Sequence, residues 1–276
     1  MQLEIYSSGT VEVNQRSFYS RELRRRIPEL SGKVKTPVLS FLLRVSGQNI
    51  LVGAGISDEH PLGRDCLGRV FNRWYQVRVS SSIGDQLRGF GVDRVDAIVL
   101  KTLQRPEISG LLSFSGLSDG NVYAPVEEIE AVRKSMKRFS KERAVYSPLA
   151  RDLVCGNKIR SLEELSVNDV NLIDLPGKSC GNQVGVRIGN VALVGIAMET
   201  PYSLIDSKPP VFSFREVSSA QSETLQSLRD LAKQGVLLLA SYDQGIEPTK
   251  PGENFFESKQ YERLIVRQNE ILAQGV

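Results

Sequence analysis

The stretch Val95-Asp96-Ala97-Ile98-Val99-Leu100-Lys101-Thr102-Leu103-Gln104-Arg105-Pro106-Glu107-Ile108-Ser109-Gly110 decides how this chain is read. It opens on an aliphatic, β-branched run, Val95 to Leu100, with the composition of a strand. The polar residues that follow, with Pro106 and Gly110 among them, end that strand in a loop. Similar runs recur on both sides: Leu3 to Tyr6, Val38 to Val45, Ile50 to Val52, Val170 to Ile173, Val184 to Ile188, Val191 to Val194 and Val236 to Leu239. Gly189-Asn190, between two alternating apolar segments, predicts a hairpin.

Helical patterns separate these strands. Pro125 and the acids Glu127 and Glu128 open a segment whose Ile129, Val132 and Met136 share one stripe. A second helix is expected from about Ser219 to Gln234, with Leu225, Leu228 and Leu231 inward and Gly235 as its cap. A third runs from about Asn254 to Ala273. Its Phe255, Phe256, Tyr261, Leu264, Ile265, Ile271 and Leu272 suit either a dimer contact or packing on the chain's own sheet. Pro61 to Ser82 is rich in Arg and Gly, holds Trp74, and is expected to be helical in part. No short repeat, low-complexity run or long linker divides the chain, so residues 1–276 are expected to form one domain.

Composition sets wide bounds. The chain has 276 residues, 41% of them hydrophobic, and a formal charge of +3, too near balance to argue for nucleic acid or membrane. Cys66, Cys155 and Cys180 are dispersed and odd in number, which disfavours a disulfide framework or thiolate zinc site and suggests a reducing cytoplasm. The apolar runs are too short to cross a bilayer. Arg24-Arg25-Arg26 and the basic residues from Arg133 to Arg143 lie beside acids or on an outer helix face, without interleaved aromatics, so solvated faces are favoured over phosphate contacts.

Five segments in order resemble the metallo-β-lactamase superfamily, nearest its N-acyl homoserine lactonase-like branch. Asn49 to Ser57 is similar to the "iLvDtG" element, with Gly53 in the Asp position. In the opening stretch Thr102, Gln104, Pro106 and Glu107 stand where HxHxDH has its ligands. Asn171 to Gln183 resembles "lidtPGHtpGh", with Lys178 for His, and Val191 to Ala197 resembles "v-x-L-x-GDa", with Ile196 for Asp. Val236 to Asp243 resembles "vipsHD", with Tyr242 for His. The resemblance implies an α/β (α+β) fold, an αββα sandwich of two mixed sheets flanked by helices.

In such proteins the loop ligands hold one or two metal ions that lower the pKa of bound water. Of the ligand positions placed here, only Glu107 keeps a group that readily binds metal. His60 is the single histidine and cannot form half of a pair. The substituted resemblance therefore implies a metal-free, non-hydrolytic member, without cofactor, in a small-molecule-binding, regulatory or subunit role.

Thr102, Gln104, Glu107, Lys178 and Tyr242 then line the relic cleft as candidate contacts to a small polar ligand. The plainer reading makes Lys178 and Glu107 an ion pair filling the vacated metal volume. Cys180 beside Lys178 would be a nucleophile without a base. A metal-independent lactone or ester hydrolase using Lys178, Tyr242 or Glu107 is the enzymatic alternative. A second copy of the chain or an active paralogue, the latter also as part of a nucleic-acid-associated assembly, are the macromolecular partners in view.

Overall fold

The computed structural model describes residues 1–15, 19–57, 76–115, 121–136, 146–167, 170–175, 183–195, 198, 201–206 and 215–274. Seven strands form one sheet: β1 (Gln2–Asn14), β2 (Lys33–Val45), β3 (Gln48–Val52), β4 (Gln76–Val79), β5 (Ala97–Val99), β6 (Val122–Ala124) and β7 (Ile159–Ser161), in the order β4-β1-β2-β3-β5-β6-β7. Four more, β8 (Asn171–Leu175), β9 (Gln183–Ile188), β10 (Val191–Gly195) and β11 (Leu237–Ala240), form a second sheet in the order β11-β10-β9-β8. Both are mixed. β1 to β4 pair antiparallel, whereas β3, β5, β6 and β7 run parallel. In the second sheet β8, β9 and β10 are antiparallel, and β11 joins β10 in parallel.

Strand period explains the layering. Along β2, Leu39, Phe41 and Leu43 point between the sheets, where they meet Leu3, Ile5, Val186, Ile188, Leu193 and Leu239. Leu42, one pleat away, belongs with Leu51 and Ile98 to the other face. There they pack on α2 (Ile83–Gly89), α4 (Val126–Ser135) and α5 (Pro148–Cys155) through Leu87, Ile129, Val132 and Val154. On the second sheet Ala192, Val194 and Leu238 face Leu228 and Ala232 of α6 (Arg215–Lys233). This is the expected αββα sandwich, with shorter helices α1 (Arg21–Arg26) and α3 (Arg105–Ile108) and a closing helix α7 (Lys259–Gln274).

The hairpin at Gly189 is present, with Ile188 opposite Val191 and Gly189 at φ 55°. Two features depart from the sequence reading, and one expectation is reached only at its end. Within Pro61 to Ser82, the described end is strand β4, because Val77 and Val79 alternate onto the Val11, Val38 and Ile56 cluster. Among the described residues the next helix begins at Ile83; the helix expected over part of this stretch falls on residues 58–75, Trp74 among them, which lie outside the described residues. Met136, expected inward, caps α4 and is 37% exposed. Strands β6 and β7, three residues each, were not anticipated; so short a run carries no period.

Helix α7 and the 3-10 turn before it (Phe255–Glu257) pack on the chain's own sheets: Phe255 of the turn and Leu264 of the helix are buried with the inter-sheet residues. Gln268 of α7 is 3% exposed and reaches the free edge of β11. The Leu238 N–H donates to Gln268 Oε1 (2.9 Å), and Gln268 Nε2 donates to the Val236 carbonyl (2.9 Å), as an adjacent strand would. The segment around residues 249–254 does the same for the start of β1. There Ile5 N–H donates to Thr249 Oγ1 (2.9 Å), Thr249 N–H returns to the Ile5 carbonyl (2.9 Å), and Leu3 N–H donates to Asn254 Oδ1 (3.2 Å).

Candidate functional site

The ends of β3, β5, β10 and β11 converge. β3 passes into Gly53, whose φ of 83° suits only glycine and whose N–H bonds the Val99 carbonyl of β5. β10 ends at Gly195, φ 61°, whose carbonyl accepts from Ser241 N–H just past β11. The Ser241 carbonyl accepts from Leu39 N–H (3.0 Å), which ties the two sheets together beside the site.

Lys101, two residues past the end of β5, turns its side chain into this meeting point. It is 1% exposed, and its Nζ lies 3.4 Å from Oε1 of Glu107, itself 5% exposed. A β-carbon placed on Gly53 would lie 3.2 Å from Lys101 Nζ and 3.3 Å from Glu107 Oε2, and one on Gly195 would come within 2.5 Å of Lys101 Cε. Two glycines, one from each sheet, thus leave the slot that the lysine fills. The Phe41 ring, its centroid 5.9 Å from Nζ, forms an apolar wall. Ser241 Oγ donates to Glu107 Oε1 at 3.5 Å. Among the described residues, Lys101 Nζ and Glu107 Oε2 have no hydrogen-bond partner.

The loop from Lys101 to Gln104 is held from behind by a fully buried carboxylate on α4. Glu128 Oε2 accepts from Thr102 Oγ1 (2.7 Å) and from Leu103 N–H (2.8 Å), while Tyr146 OH donates to Oε1 (3.1 Å). Gln104 also forms a β-bridge with Tyr146. Glu128 opened a helix in the sequence; nothing there linked it to the loop.

Comparison with known proteins follows this geometry. No protein-family profile and no curated protein matches the chain. Solved structures do. A quorum-quenching N-acyl homoserine lactone lactonase superposes with a TM-score of 0.63 at 19% identity, covering 93% of this chain and 97% of the other. The chain has the metallo-β-lactamase fold. A B. thuringiensis AiiA variant with N-decanoyl-L-homoserine bound at its active site has a TM-score of 0.64 at 17% identity, over 88% and 93% of the two chains. AidC, a dizinc quorum-quenching lactonase, has 0.58 at 13%, over 87% of each. These superpositions show the metallo-β-lactamase fold of this chain.

The described residues at this convergence do not make up the donor set of a di-metal centre. Gly53 brings no donor, the Thr102 hydroxyl is spent on Glu128, and an ammonium stands beside the sole ligand-position carboxylate, Glu107. Among the described residues no three of His, Cys, Asp and Glu gather into a metal-holding group.

Of the five residues expected to line the cleft, Glu107 sits at the convergence and Thr102 faces away from it toward Glu128. Gln104 is half-buried at the start of α3. Tyr242 is half-buried against the Val11, Val38 and Ile56 cluster, and Ser241, its neighbour, is the residue that reaches Glu107. Lys178 lies outside the described residues, as do Cys180, His60 and Ile196. Among the described residues Glu107 is ion-paired with Lys101; the expected pairing with Lys178 lies outside them. The sequence held one signal for this: a lysine attached directly to an apolar run, in a chain that carries Gly53 where an acid is usual.

Proposed function

We propose that this chain is a metal-independent, non-hydrolytic protein of the metallo-β-lactamase fold, acting as a small-molecule-binding, regulatory or subunit protein. The donor chemistry at the strand ends carries this reading: a catalytic zinc site takes about three protein ligands, and Gly53, Thr102, Gln104 and Glu107 supply one carboxylate among them. Polar groups at the same ends favour a small polar molecule as occupant, and the neighbour that holds N-decanoyl-L-homoserine at its active site offers a precedent. No described helix is long and apolar enough to cross a membrane; with three dispersed cysteines, a cytoplasmic location is part of the proposal.

Purified protein, assayed for metal content and for ester and lactone turnover with and without chelator, tests it. The expected result is substoichiometric metal and no turnover. Stoichiometric zinc or iron, or turnover lost on chelation, would overturn it. Chelator-resistant turnover that disappears in Lys178→Ala would instead favour a metal-independent hydrolase.

A further inference from the structure

We infer that Lys101 is a built-in cation: its ammonium supplies, between the two sheets, the positive charge beside Glu107, and it closes that position to exchangeable cations. The inference rests on the metal-independent reading and adds the agent responsible for it.

Three observations converge on Lys101. The slot is made for a slender chain, since Gly195 admits no β-carbon beside Lys101 Cε and Gly53 has little room beside Nζ. The charge is fully withdrawn from solvent at 1% exposure and has a carboxylate 3.4 Å away that is itself buried. Finally, neither Nζ nor Glu107 Oε2 has a hydrogen-bond partner among the described residues, so what holds the ammonium there is its attraction to Glu107, which is strong where the dielectric is low, helped by the Phe41 ring face. A lysine that merely filled space would leave Glu107 as an uncompensated buried charge. The pair is neutral as a unit, so an incoming divalent ion meets no net negative charge there.

The test is a double-mutant cycle read by thermal unfolding, with an amine rescue. Lys101→Met keeps the length and removes the charge, and Glu107→Gln does the converse. Each single change is expected to lower the Tm by roughly 10 °C, because it strands one buried charge. The double variant is expected to recover more than half of that loss. Lys101→Ala, which deletes three methylenes and the ammonium, is expected to gain Tm with increasing n-propylammonium, whereas n-propanol and sodium leave it unchanged. The same amine is expected to have no such effect on wild type or on Lys101→Ala/Glu107→Gln. Where a single variant fails to fold, the double variant still decides, since it must fold better than either single.

The inference is overturned if Lys101→Met unfolds at the wild-type temperature, if the two losses add in the double variant, or if propylammonium acts alike on wild type and Lys101→Ala. Any of these results in metal-free protein leaves the metal-independent reading standing. Stoichiometric zinc or iron in the wild type removes that reading itself.

Discussion

Glu128 shows how one side chain fixes a loop. Its buried carboxylate receives two hydroxyls and a backbone N–H, all drawn from residues on or beside the Lys101–Gln104 turn. Glu128→Ala orphans these donors and is expected to cost about 3 kcal/mol, against about 1 kcal/mol for Tyr146→Phe. Urea unfolding of the variants measures both. Gly195 and Gly235 make a sharper pair, because both have positive φ but only Gly195 is crowded. Gly235→Ala is expected to cost about 1–2 kcal/mol for its left-handed backbone. Gly195→Ala adds overpacking against Lys101 Cε, for a total of about 3 kcal/mol. Equal losses in the two would remove the crowding at Gly195.

At this scale the sequence was only partly legible. Glu107 stands out because its position in the loop is tied to a recognisable motif. Lys101 does not, because a lysine after a strand normally marks solvent, and its inward turn depends on Gly53 and Gly195, 48 and 94 positions away in the sequence.

Elements were easier to read than residues. Val38 to Val45 reads as a strand because a segment buried on both faces must be largely apolar, as this one is apart from Ser40 and Arg44. β6 and β7 have no such run; they exist because the parallel sheet beside β5 offers them partners. The edge of β11 makes a further prediction. Gln268 stands in for a missing strand there, so Gln268→Ala leaves a buried N–H and carbonyl unpaired and is expected to cost about 2–3 kcal/mol. Hydrogen exchange at Leu238 is expected to accelerate, while Leu193 on β10 stays protected. If Leu238 exchanges no faster, the helix does not protect that edge.

Across the whole molecule, the same economy appears at the first strand. Glu4, 1% exposed, accepts from Arg44 Nε (2.8 Å), Tyr6 OH (2.7 Å) and Gly252 N–H (3.2 Å). Burial, then the hydrogen bond to Glu4 and its charge, raises the Tyr6 phenol well above the ordinary tyrosine range. A raised pKa means that the neutral form is the one the folded state favours. Its contribution is therefore complete below the unfolded value of about 10 and is lost as pH rises beyond it. Alkaline titration followed by tyrosinate absorbance is expected to show the Tyr6 phenol ionising only with unfolding, and Tyr6→Phe is expected to lower the amplitude of that late step by one phenol. If every tyrosine of the Tyr6→Phe variant and of the wild type ionises over the same range, the network around Glu4 is not closed to solvent.

The bonds from Ile5 to Thr249 and from Leu3 to Asn254 join parts of the polypeptide made at very different times on the ribosome. While it is being synthesised, the nascent chain carries this side of its opening strand with bare amides and carbonyls. That flank is where a growing chain is most exposed to sticking to its neighbours, and where a chaperone would have most to shield.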